Sequence, residues 1–262
     1  MKLTLYQIDA FAENLFSGNP AAVCILDAWL DEPTMQCIAM ENNLAETAFL
    51  VKNPENYEIR WFTPEVEVDL CGHATLASAY VLFRFFEVDA THLEFYSPRS
   101  GILKVEKGDG GYLIMDFPSD ETILVDELDA IAKAIGIAPT KTIKGKTDYL
   151  LIYNSQKEIE QISPDFHLLN QLDCRGVIVS APGDEVDFVS RFFAPQSGIP
   201  EDPVTGSAHT TLTPYWSEVL GKNKMMAKQL SSRGGDLRCE FLGERVKIAG
   251  KAVLYMVAEI KL

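Results

Sequence analysis

Residues 73–86 read HATLASAYVLFRFF. The run is long enough for several helical turns and is apolar on nearly every face. A helix of that kind needs protein on all sides. The segments around it are short and alternate apolar with polar residues, as strands do. Strands are expected over 3–11, 21–26, 47–51, 59–62 and 66–68 before it, and over 92–96, 102–106 and 112–117 after it. Gly18-Asn19-Pro20 reads as a turn. A further helix is expected from Asp31-Glu32-Pro33, with Asp31 as its cap and Pro33 in its first turn. Short strands around an all-apolar helix predict a curled sheet with a helix at its centre.

The same design recurs downstream. Pro118-Ser119-Asp120-Glu121 reads as a domain boundary, and 126–135 as an amphipathic helix ended by Gly136. Strands are expected over 149–153, 176–181, 187–193, 226–230, 237–242 and 253–260. A second central helix is expected from Ser207 to Leu220, with Pro214 inside it and Gly221 at its end. Gly72-His73-Ala74 opens the first central helix and Gly206-Ser207-Ala208 the second, about half the chain apart. The two openings read either as a duplicated domain, each copy with its own central helix, or as a chance match of a short string. The expected bounds are 1–117 and 118–262, with the last strand a candidate to cross back to the first domain.

The chain has 262 residues, 47% of them hydrophobic, and a formal net charge of −15. That is ample core material for two domains. The acidic balance disfavours nucleic acid and anionic membranes, since phosphate tracking needs clustered Lys and Arg. The five cysteines, Cys24, Cys37, Cys71, Cys174 and Cys239, form no C-x-x-C pair. Neither a metal site nor a disulfide framework is expected from them. The opening MKLTLYQIDAF lacks the apolar run of a signal peptide. No stretch reaches the ~20 apolar residues of a membrane span. A cytoplasmic protein with reduced cysteines is expected.

Several residues could carry chemistry. A helix start after Gly offers unpaired backbone N–H groups and a positive dipole end, so Gly72 and Gly206 could hold a carboxylate, with His73 and Ser207 at the mouth. Taken singly, each Gly reads as a turn former and Ser207 as a cap. Glu46, in NNLAETAFLV, has Leu44, Ala48 and Phe49 about it. Apolar surroundings suit a carboxyl that must take and give a proton near neutral pH. Its plain rival is an edge-strand Glu in solvent. Asp202 in GIPEDPVTGSAH reads either as a turn former or as a partner for His73 or a substrate amine, with Glu201 as competitor. Cys71 is either an acid–base thiol beside His73 or a small buried hydrophobe. His209 has no settled side, and Arg233 in SSRGGDL either reaches a carboxylate or closes a turn. His92 and His167 sit in ordinary contexts. Phosphate-loop, dinucleotide, serine-hydrolase and zinc-protease motifs do not occur.

The strings IDAFAENLFSGNPAAV, NNLAETAFL, RWFTPEVEVDLCGHATLASA, EDPVTGSAH and SSRGGDL follow in this order. Together they resemble the PhzF-like (phenazine biosynthesis) family of the diaminopimelate epimerase-like fold group, over essentially the whole chain. The resemblance implies an α+β fold of two pseudo-symmetric domains, each a curled, barrel-like mixed or antiparallel sheet around a central helix, with the active site in a cleft between them, and a homodimer. It also implies that Glu46 carries a proton between carbons of the substrate, with His73, Asp202 and Ser207 as partners. Cys71, Gly72, Ala74, Thr205 and Gly206 are the expected substrate contacts. Related epimerases use one thiol from each domain; the second half here has no matching Cys.

The expected function is a cofactor-independent isomerase that moves a proton within a small carboxylate-bearing molecule, needing no metal, nucleic acid or membrane. Two alternatives stand beside it. One is an amino-acid epimerase or racemase using Cys71 with a non-thiol second base. The other is a small-molecule binding protein without turnover.

Overall fold

The computed structural model describes residues 1–126 and 129–262. In chain order its elements begin with β1 (Lys2–Ala10), β2 (Asn19–Leu26), α1 (Glu32–Asn42), β3 (Glu46–Lys52), β4 (Tyr57–Phe62) and β5 (Glu67–Val68). Then come α2 (Gly72–Phe85), β6 (His92–Ser97), β7 (Gly101–Lys107), β8 (Leu113–Pro118), β9 (Ile123–Val125) and α3 (Asp129–Ile135). Next are β10 (Lys141–Lys144), β11 (Asp148–Ile152), α4 (Gln156–Gln161), α5 (Phe166–Leu169), β12 (Gly176–Pro182) and β13 (Phe188–Phe193). The chain finishes with α6 (Ala208–Leu220), β14 (Lys224–Gln229), β15 (Gly235–Phe241), β16 (Arg245–Gly250) and β17 (Ala252–Lys261). Two compact units emerge: residues 1–116 with 249–262, and residues 117–248. Residues 249–262 group with the first unit because β17 pairs antiparallel with β1 from Lys2↔Lys261 to Ala10↔Ala252.

In the first unit the pairing order from β1 is β1–β2–β3–β4–β6–β7. The β2–β3 and β4–β6 pairs are parallel and the rest antiparallel. α2 packs on β1, β2, β3 and β17. His73 to Ala79 are buried without interruption. Seven successive residues cover almost two helical turns, so every face of that stretch meets protein. On the other face of the sheet, Met35, Ile38 and Ala39 of α1 pack with Phe49 and Phe62. Helices on both faces explain why β3 is apolar without alternation.

The second unit repeats this order. β10–β11–β12–β13–β14–β15 pair in sequence, with β11–β12 and β13–β14 parallel and the others antiparallel. α6 comes at the same point in the strand order as α2, between the fourth and fifth paired strands, and packs on β11, β14 and β15. Trp216 of α6 stacks on Phe188 with ring centroids 5.7 Å apart, and its Nε1 donates to Ser180 Oγ at 2.9 Å. Pro214 does not end α6. It has no N–H to give the Thr210 carbonyl one turn back, and the Asp120 backbone N–H donates to that carbonyl instead, at 3.2 Å.

Some expected bounds move. Asn19 and Pro20 belong to β2, and the turn rests on Gly18. Gly18 has φ +68°, and a Cβ there would meet the Ala10 carbonyl oxygen at 2.1 Å. The central helices are Gly72–Phe85 and Ala208–Leu220, each within a residue of expectation. The helix expected over 126–135 is seen over Asp129–Ile135; Glu127 and Leu128 lie outside the described residues. β9, β10, β16, α4 and α5 were not expected; β9, β10, α4 and α5 are short, whereas β16, RVKIAG, has the length and alternation of a strand and was overlooked. α4 did carry a local signal. Ser155 and Glu158 form a capping box, each side chain bonding the other's backbone N–H. Ser155→Ala is expected to lower the unfolding free energy by about 1 kcal/mol in urea titration. No change would mean that packing alone holds α4.

Among the described residues, no helix is long and apolar enough to cross a membrane.

Candidate functional site

In the first unit, three separate parts of the chain meet at the start of α2: Asn19, Glu46 and the Cys71–His73 segment. Asn43 ends α1 in the left-handed conformation (φ 49°, ψ 37°) and turns the chain into β3, whose first residue is Glu46. Alternation along β3 sets Glu46 on the face opposite Phe49, and Phe49 packs toward α1. Glu46 therefore lies on the α2 side. β3 is flanked by β2 and β4, so Glu46 is not an edge-strand residue in solvent. Its exposure is 8%, that of His73 5% and that of Cys71 6%.

His73 Nε2 lies 3.0 Å from Glu46 Oε2. The approach is close but not aligned as a hydrogen bond, and Oε2 accepts none among the described residues. Asn19 Nδ2 donates to His73 Nδ1 at 3.2 Å, which leaves the ring hydrogen on Nε2, facing the carboxylate. Cys71 Sγ lies 3.5 Å from Nδ1 and 4.0 Å from Nε2. Burial alone drives the imidazole toward its neutral form. Cys71 and Glu46 outweigh that and hold its pKa above the ordinary value. Burial also pushes the Cys71 thiol up to about 11, so it stays protonated at neutral pH. The charge that favours an imidazolium there is then Glu46's.

In the second unit the EDPVTGSAH loop is held by a residue that sequence reading missed. Gln229, fully buried in β14, accepts from Thr205 N at 2.9 Å and donates to the Asp202 carbonyl at 2.7 Å. Thr205 Oγ1 donates to Asp202 Oδ2. Asp202 and Thr205 are buried. Glu201 is committed elsewhere, in a two-pronged pair with Arg191 at 2.7 and 3.0 Å. Ser207 makes no capping bond through its side chain. Arg175 Nη1 donates to Ser207 Oγ at 3.1 Å, and the same guanidinium pairs with the buried Asp148. A lone Gln in a polar strand end and an Arg after a turn give no motif, so neither partner was visible beforehand.

The remaining candidates separate. Gly72 and Ala74 lie beside His73 at the start of α2, and Gly206 beside Ser207 at that of α6. His209 is fully buried, its Nδ1 donating to the Thr205 carbonyl at 2.9 Å. Arg233 is half-buried; His92 and His167 are exposed. All five cysteines are free.

The family profile for phenazine biosynthesis-like proteins, PhzC-PhzF, matches residues 8–258. The chain belongs to that family. A Pseudomonas aeruginosa protein named as an isomerase is 51% identical to it over 262 residues, covering 100% of both chains. A crystal structure of a PhzF-family protein from Enterococcus faecalis matches with TM-score 0.96 at 47% identity, again over 100% of both. A hydroxyproline epimerase from Agrobacterium vitis matches with TM-score 0.60 at 9% identity, over 99% of this chain and 91% of its own. That last likeness is one of fold: the diaminopimelate epimerase-like architecture of paired α+β units.

Proposed function

We propose that this PhzF-family chain is an isomerase that moves a proton within a small carboxylate-bearing metabolite, with Glu46 as the carrier. The observation that carries the reading is Glu46 Oε2. It is buried, it stands 3.0 Å from His73 Nε2, and it accepts no aligned hydrogen bond. Such an oxygen is a reserve acceptor for a substrate proton. Glu46 takes a proton from one carbon, and the C–H electron pair enters the substrate's conjugated system. The proton then returns from Glu46 to a second carbon on the same face. His73 steadies the carboxylate when it is charged. The backbone N–H groups at the start of α2 stabilise the substrate's oxygens, and Asp202, Thr205 and Ser207 form a second polar cluster at the start of α6 suited to a carboxylate-bearing ligand. The substrate's own conjugation makes an organic cofactor unnecessary. A homodimer in a reducing, cytoplasmic setting completes the reading, in keeping with five free cysteines.

The epimerase alternative asks Cys71 to act as a base. A thiol pushed up to about 11 by burial is a poor one near neutral pH. The test is a thermal-shift screen of small unsaturated carboxylates, followed by incubation of each hit with the protein in D2O. A ligand that binds only the native state raises its apparent stability. The expected result is a hit converted to a positional isomer. Inversion at one carbon with solvent deuterium retained there would favour the epimerase. A hit recovered unchanged would favour a binding protein.

A further inference from the structure

We propose that Glu46, Cys71 and His73 form a binding site for a thiophilic divalent cation of the Zn2+ class, and that the cation blocks the proton carrier when bound. The blocking rests on the isomerase reading; the binding does not. One ligand atom from each of the three lies within 4.8 Å of the other two, and all three residues are buried. His73 Nε2 is 3.0 Å from Glu46 Oε2 and 4.0 Å from Cys71 Sγ. Ligands about 2.0–2.3 Å from a tetrahedral metal stand roughly 3.3–3.8 Å from one another. The two His73 separations are within a few tenths of an ångström of that spacing, and the widest separation in the cluster, no more than 4.8 Å, closes with a side-chain shift of about 1 Å. Glu46 Oε2 is the second, independent observation: it accepts no hydrogen bond, so a cation displaces none there.

The donor set selects the metal. One sulfur, one imidazole nitrogen and one carboxylate oxygen suit Zn2+ or Co2+ and not Mg2+ or Ca2+, which take oxygen cages. Three protein ligands leave a fourth position open. Asn19 lies 3.2 Å from His73 Nδ1 on the far side of the ring; with its side-chain amide turned so that Oδ1 accepts the Nδ1 hydrogen, it orients a metal-bound imidazole. Binding converts the Cys71 thiol to thiolate, whose proton goes to solvent, and displaces the hydrogen from His73 Nε2, leaving the ring's hydrogen on Nδ1; no electron is transferred. Glu46 then has an oxygen on the metal and cannot receive a substrate proton. The sequence alone pointed to no metal, because these cysteines lack ligand spacing and Glu46 is brought in from another element.

The test is a Co2+ titration of the full chain followed by absorption spectroscopy. One Co2+ per chain is expected, with intense tetrahedral d–d bands and a near-ultraviolet thiolate-to-cobalt charge-transfer band. Zn2+ should abolish both. Cys71→Ser should lose the charge-transfer band, and Glu46→Gln should weaken binding at least tenfold, with circular dichroism confirming that each variant folds. If Cys71→Ser does not fold, His73→Asn must weaken binding by the same order. Cys37→Ser, removing the exposed thiol, should keep the band. Absence of the band, or its survival in Cys71→Ser, overturns the site. The spectrum is read without any substrate, so failure of the isomerase reading leaves this result intact.

Discussion

Replacing Glu46 with Gln lowers turnover by about three orders of magnitude, the middle of the range for a positioned acid–base group. That corresponds to about 4 kcal/mol of barrier. Gln keeps the size and one acceptor oxygen but cannot hold and return a proton. The cost to folding should be smaller, no more than about 2 kcal/mol, because the lost contact is one charge-assisted pair. The variant should still bind the screened ligand. A second readout is His73. Without the Glu46 charge nearby, burial dominates and the ring titrates at lower pH than in the parent, which NMR can follow. A variant that unfolds would make Glu46 a structural residue. A variant with full turnover would remove the proton carrier altogether.

Acidification from pH 6.5 to about 4 costs the second unit about 3 kcal/mol through His209 alone. This ring is fully buried between the Thr205 carbonyl and Phe188, whose ring centroid lies 6.0 Å away. Burial lowers its pKa from 6.5 to about 4. The unfolded chain binds a proton there below pH 6.5, while the folded chain resists it until about pH 4. Stability is therefore full above 6.5 and falls with pH across that window. His209→Asn keeps an N–H for the Thr205 carbonyl and does not titrate. Unfolding free energies by urea at pH 7.0, 5.5 and 4.5 should converge between parent and variant as pH falls. Parallel curves would show that His209 is not the group responsible. His73 acts with the opposite sign. Its raised pKa adds stability that is full below pH 6.5 and is lost as pH climbs through the folded value.

Much of this architecture was legible because its strongest signals are local. The run HATLASAYVLFRFF has no polar face, and a helix without one needs enclosure. The Gly-polar-Ala openings marked both central helices. Motif matching named Glu46, His73, Asp202 and Ser207 as candidates; Glu46 and His73 meet at the start of α2, and Asp202 and Ser207 lie in the segment leading into α6. What stayed hidden depends on tertiary approach. Gln229 braces the Asp202–Thr205 loop from a neighbouring strand, and Arg175 holds Ser207 from the start of β12. Neither carries a signature in its own neighbourhood. Glu201, the rival of Asp202, is likewise committed to a residue of another element, Arg191, which its own neighbourhood did not announce. Of the missed strands, β9 and β10 are short, so their identity comes from the neighbours they pair with. Ser207 shows the converse failure: its type and place predicted a cap, and Arg175 uses its hydroxyl instead.

The strand β17 closes against β1 only after every residue of the second unit has been translated. During synthesis the nascent first unit thus waits, its β1 flank open, while residues 117–248 leave the ribosome as one uninterrupted block. The later-made unit is the one free to finish first, and the earlier-made one is sealed by the chain's last segment.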